Sequence, residues 1–334
     1  MFNLKKNKKG LFAPKVALPK TAQDTIPFME AYENGLFLVA EDTYTFSIEP
    51  HDISVGELSL LDEHKDSGWE FQKSEMLWIK DSVREISVYD EEMNTTFIIH
   101  VTLPPDYDAN KSYPAYVLTD GVWRFGNHPI LWKMMENGKA SNVILVSIGY
   151  DFAIDGTGSV REKFFLEKKK QLLDFVTDNL MPYLGEQYKI DFSQSTIYGH
   201  SDGGVFTHYA AFNSDLYKNQ PFKNYIIGSP AFWAPMLPFF EDDADAYKSE
   251  YGYFERNKTC DKSIYISVGA NEDPDYADYY GENDTTIEGA VHLKERLEAH
   301  NVENLRYEAY ENSNHYAYIP LLLCDCLKEY YPVE

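Results

Sequence analysis

The feature that most constrains this chain is STIYGHSDGGVFTHYAAF, Ser195 to Phe212, where a β-branched and aromatic run breaks at Gly199-His200-Ser201-Asp202-Gly203 and becomes helix-forming. This is GxSxG in a strand-turn-helix context. A serine hydroxyl is a poor nucleophile until a sharp turn lifts it out of the sheet and sets it beside a base. Glycines on both sides, Gly204 included, let strand and helix approach without Cβ clashes. The amide of Asp202, at the start of the helix, points at the anion such a nucleophile would generate.

A nucleophile of this kind needs a carboxylate and a histidine downstream, in that order. SIYISVGANEDPD, Ser263 to Asp275, reads as a buried strand ending at Gly269, with Glu272, Asp273 and Asp275 on the loop past its carboxyl end; any of the three could orient an imidazole. NLRYEAYENSNHYAY, Asn304 to Tyr318, reads as a last strand and a loop carrying His315, in the position of the base. The other histidines fit less well. His200 lies inside the turn, where its ring points away from the nucleophile into packing, and His208 falls on the following helix. His292 and His300 sit on an amphipathic helix, Thr286 to His300, in solvated or capping roles. His128, in the loop GVWRFGNHP, is either a substrate contact or a surface histidine.

The flanking chain indicates an α/β architecture. REISVY, Arg84 to Tyr89, and TFIIHVTLPPDYD, Thr96 to Asp108, read as two antiparallel strands, the second closed by Pro104-Pro105. Ala115 to Thr119 and Val143 to Ile148 are continuous apolar runs, the pattern of strands covered on both faces, with turn signals at Gly121 and Gly149. Leu172, Phe175, Val176, Leu180, Tyr183 and Leu184 recur at helical spacing before Gly185, which places a long amphipathic helix within Arg161 to Gly185. Alternating strands and helices predict a mostly parallel sheet with its ligand site at the carboxyl ends of the strands.

From about Val83 to the C-terminus the chain resembles an esterase family of α/β-hydrolases that includes enterochelin esterases, feruloyl and acetyl-xylan esterases and S-formylglutathione hydrolases. The resemblance rests on YPAYVLTDG (Tyr113 to Gly121), LLDFVTDNLMPYLGEQY (Leu172 to Tyr188), YGHSDGG (Tyr198 to Gly204) and IIGSPAFW (Ile226 to Trp233), in matching order and spacing. It implies an α/β-hydrolase fold with a mostly parallel central sheet and helices on both faces. It further implies Ser201 as nucleophile, His315 as base and Glu272 as acid, with Asp273 the alternative, and a second oxyanion donor at the backbone of Gly121 or Val122. No metal or organic cofactor is called for. Two departures stand out. Asp202 occupies a position where an apolar or amide side chain is usual; a carboxylate there disfavours anionic substrates and, if it comes close, favours the protonated form of the His315 imidazole. The acid is most often Asp in the family, whereas here Glu272 is followed at once by Asp273.

With 334 residues and 44% hydrophobic content, the chain can bury a full α/β core and carry an appendage. A net charge of -24 argues against nucleic acid and anionic membrane surfaces as partners. No apolar run is long enough to span a bilayer, and the lysine-rich start MFNLKKNKKGLFAPK lacks the apolar core of a signal peptide, so a cytoplasmic location is expected. Cys260, Cys324 and Cys326 cannot form a disulfide framework, and the last two read as buried thiols on a C-terminal helix.

Residues 1–65 stand apart as an appendage to an esterase domain at 66–334. Pro19 to Ile53 resembles the N-terminal segment of conjugation-system ATPases of the type IV secretion class, which precedes a β-hairpin. The chain has no GxxxxGK[ST] loop, so no nucleotide chemistry follows. The appendage reads either as a small β-rich module that docks on a partner or as a leader without function here; LDEHKDSG, Leu61 to Gly68, is the linker.

Trp123, Arg124, Phe125 and His128, with Phe232 and Trp233, are candidates to line the cleft, by stacking on a planar or sugar-like ligand or simply by packing the loops. Ala234 to Lys262, rich in Asp, Glu and Tyr, reads as a mobile cap or a solvated acidic insertion. The expected function is hydrolysis of a small siderophore-, feruloyl- or acetyl-type ester. The alternatives are a silent α/β-hydrolase-fold binding protein and an interaction protein of a conjugation apparatus.

Overall fold

A computed structural model describes residues 78–79, 81–90, 92–150, 161–234 and 248–333, and the statements below concern these. The readings for 1–65 and for the linker, and the middle of the acidic insertion, lie outside them. The described chain forms two compact units, one comprising 161–234 and 248–315, the other 78–150 and 316–333.

In the second unit, β1 (Val83–Asp90) and β2 (Thr95–Thr102) pair antiparallel, β2 pairs antiparallel with β4 (Ile144–Tyr150), and β3 (Ala115–Leu118) runs parallel to β4. β3 and β4 are buried at every position, as their unbroken apolar runs require. β2 stops at Thr102, because Pro104 and Pro105 have no N–H to continue a ladder.

Gly149 does not end β4; it lies inside the strand. The steric demand falls on Gly121, since a Cβ there would lie 2.5 Å from the Gly149 nitrogen and 2.7 Å from the Ile148 carbonyl carbon. The segment expected as the loop GVWRFGNHP is helical. Asp120, left-handed at φ 56°, turns the chain out of β3 into the single turn α1 (Gly121–Arg124), followed by a 3₁₀ turn (Phe125–Asn127) and by α2 (His128–Glu136), with Pro129 in its first turn.

In the first unit, the predicted long helix forms with interruptions. π-helical turns at Lys163–Glu167 and Phe175–Leu180 alternate with α3 (Lys169–Asp174) and α4 (Met181–Tyr188). Pro182 has no N–H to offer a regular α ladder, consistent with the second π turn before it. The shifted phase leaves Tyr183 exposed, although Leu172, Phe175, Val176, Leu180 and Leu184 are buried as expected.

Next come β5 (Thr196–His200), α5 (Asp202–Asn213), β6 (Asn224–Gly228), α6 (Lys248–Arg256), β7 (Ser263–Gly269), α7 (Ala277–Tyr280), α8 (Thr286–Ala299) and β8 (Leu305–Tyr310). β5 to β8 pair successively and in parallel. A capping box between Thr285 and Glu288 starts α8. In the second unit, α9 (Ile319–Tyr330) closes the chain and buries Cys324 and Cys326, which are thiols, as is the buried Cys260.

Candidate active site

The turn after β5 is built by steric necessity. A Cβ on Gly199 would fall 2.0 Å from the Gly203 carbonyl oxygen and 2.4 Å from Thr207 Oγ1, and one on Gly204 would fall 2.7 Å from the Gly228 oxygen. Glycine is therefore demanded at 199 by the strand–helix approach and at 204 by packing against β6. Gly203 contributes its carbonyl, which accepts from Thr207 Oγ1 at 2.9 Å.

Between these residues Ser201 takes φ 59° and ψ −120°, a conformation that disfavours any residue with a Cβ. It is held there on both sides of its own peptide groups. The Ser201 N–H donates to Gly228 O at 2.9 Å, and its carbonyl accepts from the amides of Gly204, Val205 and Ala231 at 2.9, 3.1 and 3.2 Å. Asp202 opens α5, at the positive end of the helix dipole.

The acid and the histidine come together in the same unit. His315 Nδ1 donates to Glu272 Oε2 at 2.6 Å, and both side chains are fully buried. Burial pushes the Glu272 carboxyl above its ordinary range, against the charge of His315 and the hydrogen bonds from His315 and Ser229.

The two loops that carry the pair are joined. Ala270 N donates to Tyr310 O and Asn271 N to Ser313 O, each at 2.9 Å, and the His315 amide donates to Asp275 Oδ2 at 3.3 Å. Gly269 permits this contact, for a Cβ there would lie 2.3 Å from the Asn314 oxygen. Of the three acids that the sequence left open, Glu272 thus holds the ring and Asp275 holds the loop. Asp273 instead accepts from the Ile287 amide at 3.1 Å, in the first turn of α8.

The neighbours of His315 were only partly anticipated. His200 is packed as expected, but against the other imidazole, with ring centroids 4.5 Å apart. Tyr276 meets His315 edge-on at 4.7 Å and leads to Trp233, at 5.4 Å. Trp233 itself is buried, its Nε1 donating to Thr286 Oγ1 at 3.1 Å and its ring set against Tyr279 and Tyr280.

His208 is buried against Glu250 of α6, which Arg296 also meets, so this part of the acidic insertion is anchored rather than solvated. His292 pairs with Asp284 at the surface, and His300 caps α8 while stacking on Phe254.

Gly121, Val122, Trp123, Arg124 and His128 belong to the other unit. Trp123 is half-buried and Arg124 buried, the amides of both donating to Asp120 O at 2.9 Å. His128 is not a surface histidine. It is fully buried with Nδ1 2.8 Å from Thr102 Oγ1, and burial, helped by nearby His100, lowers its basicity well below the ordinary value.

Two residues near the turn escaped sequence reasoning. Arg161 is buried, with Nη1 donating to Asp202 Oδ2 and Nη2 donating to His200 O at 2.9 Å, so the Asp202 carboxylate does not stand as a bare charge. Ser229, fully buried with φ 39°, follows β6 and hydrogen-bonds Glu272. Its only sequence signal was its place in IIGSPAFW. Arg161 had none, since the contact spans 41 positions.

Among the described residues no helix is long and apolar enough to cross a membrane. A family model described as "Putative esterase" matches residues 90–328. The ferri-bacillibactin esterase BesA of Bacillus subtilis is 25% identical over 272 residues, covering 74% of this chain and 88% of that protein. Two solved structures share the fold. One is the BES protein from Bacillus cereus, with TM-score 0.61, 22% identity, and 75% of this chain and 95% of that one covered. The other is the siderophore hydrolase EstB from Aspergillus nidulans, with TM-score 0.56, 19% identity, and 75% and 95% covered. The matched segment is well over half of the sequence and takes in the strained serine turn and the buried acid–histidine pair, so the chain belongs to this esterase family, as a carboxylic ester hydrolase of α/β-hydrolase fold with a mostly parallel central sheet.

Proposed function

We propose that the chain hydrolyses a small ester of the siderophore, feruloyl or acetyl type through Ser201, His315 and Glu272. The observation that carries this reading is the fully buried 2.6 Å contact between His315 and Glu272, with His200, the residue before Ser201, packed on the same imidazole. His315 takes the Ser201 hydroxyl proton as Oγ bonds to the carbonyl carbon. The tetrahedral oxyanion is met by the Asp202 amide and, by the family resemblance, by a second donor at the backbone of Gly121 or Val122. Its collapse breaks the carbon–oxygen bond to the alcohol, which leaves with the proton from His315. Water then repeats the cycle on the acyl-serine. Glu272 fixes the tautomer of the ring and stabilises the imidazolium.

The siderophore-ester option is supported by the ferri-bacillibactin esterase and the siderophore hydrolase among the similar proteins. The three buried thiols suit the proposed cytoplasmic setting.

The test is hydrolysis of p-nitrophenyl acetate by the wild type and Ser201→Ala, with a fluorophosphonate probe to label the serine. Loss of several orders of magnitude with an unchanged melting temperature is expected. Equal rates, or an unlabelled wild type, would leave a binding protein of this fold. A panel of aryl acetates, feruloyl sugars and siderophore trilactones then separates the ester classes. Deleting residues 1–65 should spare hydrolysis; loss of a binding partner instead would reveal a docking role for that segment.

A further inference from the structure

Arg161 touches both residues that flank the nucleophile. One arm of its guanidinium holds the His200 carbonyl and the other the Asp202 carboxylate, while the cation lies 5.4 Å from the Phe165 ring centroid. Phe165 is itself packed on Phe206 of α5. The arginine is buried, and the Asp202 side chain is only 13% exposed, so the two charges meet largely out of water. A fork of this geometry resists displacement, because two planar N–H donors are satisfied in different directions at once.

The charges matter to a serine hydrolase more than to an ordinary turn. Asp202 follows the nucleophile directly, and its backbone amide is assigned to the developing oxyanion. A lone carboxylate on that residue would oppose the oxyanion and favour the imidazolium before reaction, holding the base in its unusable form. The Arg161 guanidinium cancels it.

Building on the serine-hydrolase reading, we propose that Arg161 is a positioning residue for ester hydrolysis: it bridges the residues on either side of Ser201 and neutralises Asp202, so that the turn is rigid and carries no net charge toward the oxyanion and His315. This lifts the bar to anionic substrates that Asp202 alone would impose.

The prediction is a pair of opposite shifts in the pH–rate profile. Around the His315 ring stand Glu272, Tyr276 and His200, with Asp275 on the His315 backbone amide and Asp273 acting on Glu272 through space. Glu162, next to Arg161, is pushed up to about 7 by burial and by Asp202, so profiles are recorded in a Glu162→Gln background.

Arg161→Met leaves the carboxylate unbalanced. The acidic limb of kcat should move to higher pH, and kcat at its plateau should fall by about tenfold to a hundredfold through lost alignment, with KM for p-nitrophenyl acetate little changed. Asp202→Asn leaves the cation unbalanced, and the limb should move to lower pH. The Arg161→Met/Asp202→Asn double variant should return the limb close to the parent and recover part of kcat. A merely structural arginine would give losses without opposite limb shifts.

If Arg161→Met does not fold, Asp202→Asn decides alone, and an unmoved limb overturns the assignment. Unmoved limbs in an active enzyme whose Ser201 is labelled by fluorophosphonate overturn the role of Arg161 only. A wild type that neither hydrolyses nor labels overturns the hydrolase reading together with it.

Discussion

Replacing Glu272 by glutamine should cost about three orders of magnitude in kcat while sparing the fold. The carboxylate accepts from His315 Nδ1 at 2.6 Å, and both groups are fully buried. At that contact the charge centres of carboxylate and imidazolium lie roughly 4 Å apart, which at an effective dielectric constant of about 20 is about 4 kcal/mol of attraction. In the proposed mechanism that attraction exists only once the ring has taken the serine proton, so it would lower the barrier rather than bind substrate. At about 1.4 kcal/mol per decade it corresponds to roughly 10³ in rate. Glutamine preserves the shape but not the charge, and its NH₂ competes for the ring in the wrong tautomer. Asp273→Asn is the internal control. Its side-chain oxygen accepts from the Ile287 amide, a bond that asparagine can also accept, so the change should leave the melting temperature nearly unchanged and kcat within about twofold. The assay is kcat at saturating p-nitrophenyl acetate with thermal melts of each variant. Glu272→Gln within tenfold of wild type, or a rate loss confined to Asp273→Asn, refutes the reasoning.

Gly269→Ala would drive a Cβ to 2.3 Å from the Asn314 oxygen, directly before His315, so kcat should fall together with about 1–3 kcal/mol of stability; a lower melting temperature with kcat intact would contradict the loop-packing argument. Gly199→Ala, with its Cβ 2.0 Å from the Gly203 oxygen and the helix backbone unable to yield, should be harsher still and is read as loss of soluble folded protein on denaturant titration. Asp215 is raised by burial but lowered further by the hydrogen bonds from Arg256 and Asn257, for a net shift downward. Its stabilisation is therefore present above the ordinary carboxylate value and is lost as pH falls through its own depressed one. The melting-temperature gap between wild type and Arg256→Met, worth up to about 1 kcal/mol near neutral pH, should close toward pH 2; a gap constant with pH would show that the ion pair contributes nothing.

What could be read from the sequence was whatever a local rule enforces. Burial on both faces writes unbroken apolar runs, so β3, β4, β5 and β7 were found within a residue or two. The helix at Thr286–Ala299 was given by its amphipathic pattern. The misreadings fall where a local signal had two physical meanings. Gly149 reads as a turn signal but lies inside β4, and the close approach demands glycine at 121, whose Cβ would meet the Gly149 backbone. The segment after β3 looked like a loop because Gly126, Asn127 and Pro129 are turn-formers, but Pro129 stands in the first turn of a helix, where its missing N–H costs nothing. Tyr183 had the right spacing for an α-helix; the π turns beside it change the spacing that matters.

The same distinction runs through the site. The turn at Ser201 was legible because the glycines around it answer a steric demand set within nine residues, Gly199 to Thr207. The contact between His315 and Glu272 was open to chain order and resemblance alone, since it joins loops 43 positions apart and no periodicity encodes it. Arg161 was illegible by any of these routes. Its helix neighbours explain it as one polar residue opening an amphipathic run, and only the folded chain shows it reaching 41 positions forward to Asp202. In the proposed mechanism Asp202 without Arg161 would be a liability beside Ser201; with it, the turn that holds Ser201 at φ 59° gains a second clamp. The two substitutions are therefore coupled. A chain carrying one without the other should show a displaced acidic limb, in opposite directions for the two single changes, and the double variant should bring it back.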